Sequence, residues 1–202
     1  WIQQLIDRYA VSYPNLLKHD KGYPSPEYLK SIIHIGNIDF EGEMAKNTDG
    51  SDFIRKKLLD KEPGPVYVQL WGGTNTLARA LKSIEEEYKG KSGWPAIYRR
   101  VSEKTILYAV LDQDATYRNY VAPNWPDIKV IYNSAQFWSF AYMWQQVVPD
   151  TLKPLLGGAW FKENIKFNHG PLLATYYCWG DGQKIPGDPD HIQGDTAEAR
   201  KQ

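Results

Sequence analysis

Apolar positions change their spacing several times along the chain. Ile2, Leu5, Ile6, Tyr9 and Tyr13 fall on one face at helical spacing and predict an amphipathic helix. Prolines and a glycine in "PNLLKHDKGYPSP" break it. A second helix starts in "SPEYLKSIIHI", with Ser25 as N-cap and Pro26 in the first turn, where a missing N–H costs nothing, and Gly36 closes it. The polar stretch "GNIDFEGEMAKNTDG" reads as a loop. "SDFIRKKLLDK" follows as a helix capped by Asp49 or Ser51, with Phe53, Ile54 and Leu58 facing inward, and Pro63, Gly64 and Pro65 end it.

Three strand-like runs come next: "VYVQLW" (66–71), "KTILYAVLD" (104–112) and "IKVIYNS" (128–134). Helical segments separate them, from Asn75 to about Lys89 and from Ala115 to Asn124. Strands alternating with helices at this spacing predict right-handed crossovers and an α/β fold, a mostly parallel sheet with helices on both faces. Beyond Ser134 the pattern blurs. "AQFWSFAYMWQQVV" reads as a buried helix, "GGAWFKENIKFNHGP" as a helix ended by Gly-Pro, and "WGDGQKIPGDPDHIQGD" as a long glycine- and proline-rich loop.

Charge narrows the partners. Lys plus Arg and Asp plus Glu number 24 each, so the net charge is zero and no basic field attracts nucleic acid or an anionic membrane. No apolar run comes close to the roughly 20 residues needed to cross a bilayer, so no membrane partner is expected. The single cysteine, Cys178, excludes an intrachain disulfide and is expected to be a buried, inert thiol. Aromatic residues make up 14% of the chain, with 8 Trp and 14 Tyr. Their flat apolar faces and polar edges suit sugar rings and nucleobases as well as core packing. At 202 residues the chain suits one domain, and because it opens on Trp1 the numbering is expected to start inside a longer precursor.

In a parallel sheet all strand C-termini reach one rim, where ligands collect in open α/β folds. The residues arriving there are Trp71-Gly72-Gly73-Thr74-Asn75, then Asp112-Gln113-Asp114, then Asn133-Ser134. Thr74 or Asn75 and Asp114 are also ordinary N-cap residues for the helices that follow. Asp112 and Asp114 can bind a hard cation or hold sugar hydroxyls. Asp181, Asp188, Asp190 and Asp195 lie in the late loop, whose spacing does not fit an EF-hand. His169 and His191 are the histidines best placed for acid–base work, with a structural hydrogen bond as the alternative for each.

The order of "IDRYAVSYPNLLKHDKGYPSPEYLKSIIHIGN", "TDGSDFIRKKL", "VQLWGGTNTLARAL", "VLDQDA", "WFKENIKFNHGPLLATYY" and "QGDT" resembles the nucleoside-hydrolase-like domain of the cellulose-binding protein family, across nearly the whole chain. The resemblance implies a Rossmann-like α/β core with one Ca²⁺ at the strand rim, and an exported protein. It implies metal ligation by the backbone carbonyl of Trp71 and by Asp195. Substrate contacts fall to Asn75, Asp112, Gln113, Asp114, Glu163 and Asn164, with Asp114 and His169 as catalytic candidates. The implied chemistry is hydrolysis of an N-ribosyl-type glycosidic bond by a Ca²⁺-bound water. The alternative is a non-catalytic carbohydrate-binding domain on the same fold.

Two departures separate this chain from the working enzymes. The superfamily's Asp-rich loop after its first strand is missing, and Gly194 stands where some nucleoside hydrolases carry a histidine as leaving-group acid. An incomplete domain is therefore expected, lacking an N-terminal strand with its metal-binding loop and a C-terminal helix after "QGDT". The ligand expected is a small glycoside or a carbohydrate.

Overall fold

The computed structural model describes residues 1–136, 139 and 143–176. They fall in two compact units, one of residues 34–137 and one combining 1–33 with the part of the chain after 137.

The first unit holds the sheet. Strands β1 (Val66–Leu70), β2 (Thr105–Val110) and β3 (Lys129–Asn133) pair in that order, all parallel, in the register Val68 to Leu107 and Leu107 to Val130. This is the α/β sheet that the spacing of apolar runs predicts, with each strand one or a few residues shorter than its run. In-register residues share a face, so Val66, Val68, Leu70, Leu107, Ala109 and Val130 point together. Onto that face pack α3 (Asp49–Leu59) through Leu58, α4 (Asn75–Tyr88) through Leu77, Leu81 and Ile84, and α5 (Trp94–Lys104) through Val101. Trp125 and Ile128 close the core, with the Trp125 ring stacked on Tyr98. The opposite face carries Tyr67, Gln69 and Ile131, all exposed.

Helix α5 is the element the strand-and-helix reading passes over. Its signals are present: Gly93 and Pro95 at the start, and Trp94, Ile97, Tyr98 and Val101 at helical spacing. Helix α3 is capped by Thr48, not by Asp49 or Ser51. The Thr48 hydroxyl accepts from Ser51 N, and the Ser51 hydroxyl accepts from Thr48 N, a reciprocal capping box. After β2, residues Tyr117–Val121 form a π-helical turn that continues as Ala122–Asn124.

The second unit begins with α1 (Ile2–His19), which runs through Pro14, and α2 (Pro26–Ser31), whose Ser25 hydroxyl accepts from Tyr28 N as expected of a cap. Farther along lie short helices at Trp144–Val147 and Gly158–Phe161, the latter passing into a π-helical turn at Lys162–Lys166. Part of the helix expected over 135–148 lies outside the described residues. So do Cys178, Asp181, Asp188, Asp190, His191, Gly194 and Asp195.

Leu107 is fully buried at the centre of the sheet. Leu107→Ala should lower unfolding stability by about 3 kcal/mol through lost apolar contact and an unfilled cavity. Urea melts of both proteins measure this, and a loss under about 1 kcal/mol would show the site to be less packed than described.

Candidate functional site

Parallel pairing brings the ends of β1 and β2 side by side, and their following loops are tied by one carboxylate. Asp114 Oδ2 accepts from Asn75 N at 3.1 Å, and its Oδ1 accepts from Thr116 N at 3.1 Å. Asp114 thus caps α4 from a different loop, which explains why Thr74 at the cap position makes no such bond. Gly73 makes the approach possible. A Cβ there would lie 2.5 Å from Asp114 Oδ2, well inside contact distance. The opening Gly-Gly of this turn is therefore asymmetric, because a Cβ on Gly72 would meet nothing within 4 Å.

Asp112 caps the next element instead. Its two oxygens accept from Tyr117 N and Arg118 N at 3.0 and 3.1 Å, while its own N donates to the Tyr132 hydroxyl. Gln113 Nε2 donates to the Val110 carbonyl. The loop is bracketed by two non-glycine residues at positive φ, Leu111 at 63° and Ala115 at 59°. Such residues cost of order 1 kcal/mol each and concentrate where the fold must place a group against local preference. Here the group placed is Asp114.

The third wall comes from the segment between α2 and α3. Asn37 holds it: its Nδ2 donates to Glu43 Oε2 and to the Lys46 carbonyl, its Oδ1 accepts from the Thr48 hydroxyl, and its N donates to Thr76 Oγ1. Asn75 Nδ2 donates to the Asn37 carbonyl at 3.0 Å. Farther down α4, Arg79 is 97% buried and donates to the Met44 and Ala45 carbonyls, to Ser83 and to Glu86. Ser83 in turn donates to Asn47 Oδ1. Positions 75, 79 and 83 form one stripe of the helix, so α4 presents its apolar face to the sheet and a polar face to this loop. Asn37, Glu43 and Arg79 carry no motif. The i, i+4 spacing of polar residues on an otherwise apolar helix is the signal that finds Arg79.

Glu43 Oε1 accepts from Ala45 N and Lys46 N. The Asn37 amide first, then these N–H groups, hold its carboxyl below its ordinary value near 4.5, against the opposing pull of burial.

Between these walls lies an open cleft of about 440 Å³ whose lining includes Asn37, Phe40, Glu41, Asn75, Gln113 and Asp114. Phe40 is 68% exposed at its edge. The structure thus gathers Asn75, Gln113 and Asp114 at one cleft, while Asp112 serves the helix behind it. Trp71 lies at the same rim, its ring exposed and its Nε1 donating to Gln69 Oε1. Glu163, Asn164 and His169 belong to the other unit. There His169 Nε2 donates to the Glu163 carbonyl at 3.1 Å and Asn164 Nδ2 to the Trp160 carbonyl at 2.9 Å, each a bond to nearby backbone.

Ca²⁺ requires roughly 6–8 oxygen ligands. Among the described residues no group of three or more His, Cys, Asp or Glu is placed to hold a metal. Both rim aspartates already spend each oxygen on a backbone N–H. The described residues do not by themselves fit Ca²⁺. Each oxygen of Asp114 keeps a second lone pair, enough to accept a sugar hydroxyl.

A family model described as "Cellulose-binding Sde182, nucleoside hydrolase-like domain" matches residues 1–199. Among solved structures the chain is similar to a nucleoside hydrolase-related hypothetical protein from Saccharophagus degradans, described as associated with carbohydrate metabolism, with 26% identity and a TM-score of 0.68. The match covers 98% of this chain and 41% of that one, so the chain spans about two-fifths of that structure's length. No curated protein matches it.

Two expectations follow from the site's geometry. Gly73→Ala should cost about 1–3 kcal/mol by overpacking, and the cost should shrink when Asp114→Ala is combined with it. Equal costs in both backgrounds, measured by urea melts, would mean that Gly73 does not serve the Asp114 contact. Glu43 has a depressed native pKa, so its contribution is present above its ordinary value and lost as pH falls through the native one. Between about pH 5 and pH 3 the wild type should lose more stability than Glu43→Gln, and parallel acid limbs in denaturant melts would contradict this.

Proposed function

The chain belongs to the Cellulose-binding Sde182, nucleoside hydrolase-like domain family, and from that premise we propose that this domain binds a neutral carbohydrate in the rim cleft. The observation that carries the proposal is the make-up of the cleft: side-chain amides and carboxylates on its walls and an exposed aromatic ring, Phe40, at its lip. Sugars present both surfaces such a cleft matches. Their hydroxyls pair with Asn, Gln and Asp groups, and their apolar C–H faces lie on aromatic rings. The charged groups of the lining, Glu41 and Asp114, are both acidic, which disfavours phosphorylated or uronic ligands. Asp114 acts here as a positioned acceptor. Its geometry is fixed before the ligand arrives by the two N–H groups it already binds, which lowers the ordering cost of binding.

Hydrolysis of a glycosidic bond with Ca²⁺ is the second reading, favoured by the open space beside Gly72 at the end of β1, where a Cβ would meet nothing within 4 Å. The Trp71 carbonyl and Asp195 would be two ligands of such an ion, with the remaining oxygens supplied from outside the described residues.

Calorimetry of the full-length protein against cellohexaose, a galacturonate oligomer and a nucleoside tests the binding reading. Cellohexaose should bind, the galacturonate oligomer should not, and Phe40→Ala should weaken cellohexaose binding about tenfold. No binding of any neutral glycan would refute it. The hydrolytic reading is tested separately: Ca²⁺ should raise the melting temperature and chelator should abolish sugar release from a panel of nucleosides and N-glycosides. Metal-independent melting together with no turnover would remove it.

A further inference from the structure

We propose, resting on the reading of the rim cleft as a glycan site, that the cleft recognises a protonated primary amine, so that a chain of amino-sugar units is held in preference to an uncharged chain of the same length. Acceptors are what the walls leave free. The amide nitrogens are engaged: Asn37 Nδ2 donates to Glu43 and the Lys46 carbonyl, Asn75 Nδ2 to the Asn37 carbonyl, and Gln113 Nε2 to the Val110 carbonyl. Asn75 Oδ1 accepts no bond from the described residues, although the residue is only 8% exposed and belongs to the cleft wall. A buried amide oxygen without a partner carries a desolvation cost that a ligand's donor removes.

That oxygen has a charged neighbour. The place a Gly73 Cβ would take lies 3.0 Å from Asn75 Oδ1 and 2.5 Å from Asp114 Oδ2, so the two oxygens flank one spot on the wall and lie within reach of one ligand group. Glu41 supplies a second carboxylate. Glu43 N donates to the Phe40 carbonyl and Gly42 takes a φ of 77°, a tight turn that sets Glu41 in the lining. Glu41 makes neither a hydrogen bond nor an ion pair with the described residues, and Lys46, the cation of the same loop, is engaged by Asp39. Among the described residues no Lys, Arg or His lines the cleft. An ammonium carries three N–H donors, one positive charge and no lone pair, whereas a hydroxyl brings an acceptor for which these walls have little use. Hydrogen bonds to an ionised partner are also the stronger ones. The positive end of α4 opposes a cation, but Asp114 caps that end and Glu41 adds the second negative charge. The chain as a whole carries no net charge, so a preference for a cation has to arise locally.

Calorimetry of the full-length protein at about pH 6, below an amine's ordinary range, compares cellohexaose with the hexamers of glucosamine and of N-acetylglucosamine. The glucosamine hexamer should bind about tenfold more tightly than cellohexaose, and the acetylated hexamer, which keeps the nitrogen and loses the charge, should show no such gain. Glu41→Gln should bring the ratio of the glucosamine and cellohexaose affinities down to about threefold. The ratio is the readout because a general loss of binding leaves it unmoved, and Glu41 has no bond on which the fold relies. Equal affinities in the wild type would overturn the amine preference and leave the glycan reading standing. A ratio that survives Glu41→Gln, or a gain shared by the acetylated hexamer, would overturn it as well, because the charge would then be read elsewhere or not at all. If putrescine, an amine without a sugar, binds as tightly as the glucosamine hexamer, the amino-sugar assignment falls. If none of the glycans binds, both readings fall.

Discussion

The Asp114 carboxylate is the constraint on which the rim depends. Two adjacent parallel strands would otherwise end in independent loops, each free to satisfy its own backbone. Asp114 prevents this by accepting the first N–H of α4 on one oxygen and the N–H of Thr116 on the other. The requirement passes back to Gly73, where a side chain would collide with the carboxylate. It passes forward to Leu111 and Ala115, which take left-handed backbone angles so that the short loop can deliver the group.

From Asn75 the order spreads outward by a second set of bonds. Its amide reaches the Asn37 carbonyl, Asn37 gathers Glu43, Lys46 and Thr48, and Arg79 with Ser83 fastens the rest of the loop to the same helix. A segment with few apolar residues is thus held against α4 by polar contacts in place of a hydrophobic face. Buried networks of this kind tolerate few omissions, because each unpaired group carries its full desolvation cost. The cleft owes its shape to this arrangement, and it is why Phe40 and Glu41 stand at its edge as parts of an ordered wall.

The sheet was legible in the sequence because a buried strand writes its period directly into the chain: "VYVQLW", "KTILYAVLD" and "IKVIYNS" announce themselves without reference to anything distant. The rim was legible to the same extent, since parallel strands must end together, and Asn75, Gln113 and Asp114 do meet there. What each residue does was not legible. Asp114 caps α4 and Asp112 caps the turn at Tyr117, assignments that depend on which loops become neighbours and not on spacing. Asn37 and Glu43 read as loop because their partners are scattered, some within the same loop and others, the Asn75 and Thr76 side chains, nearly 40 residues away, which leaves no period. Glu163, Asn164 and His169 lie in a stretch that matches the family pattern only loosely, and the bonds Asn164 and His169 make are local ones to nearby backbone carbonyls. Only their relation to a ligand would give them the roles the resemblance implies.

The account stands most directly on where a carbohydrate touches the protein. Titration of isotopically labelled full-length protein with cellohexaose, followed by backbone NMR shifts, reads that position residue by residue. The account predicts saturable shifts at the amides of Phe40, Gly73, Asn75 and Gln113, reporting one binding constant. Saturable shifts that leave all of these unmoved would contradict it.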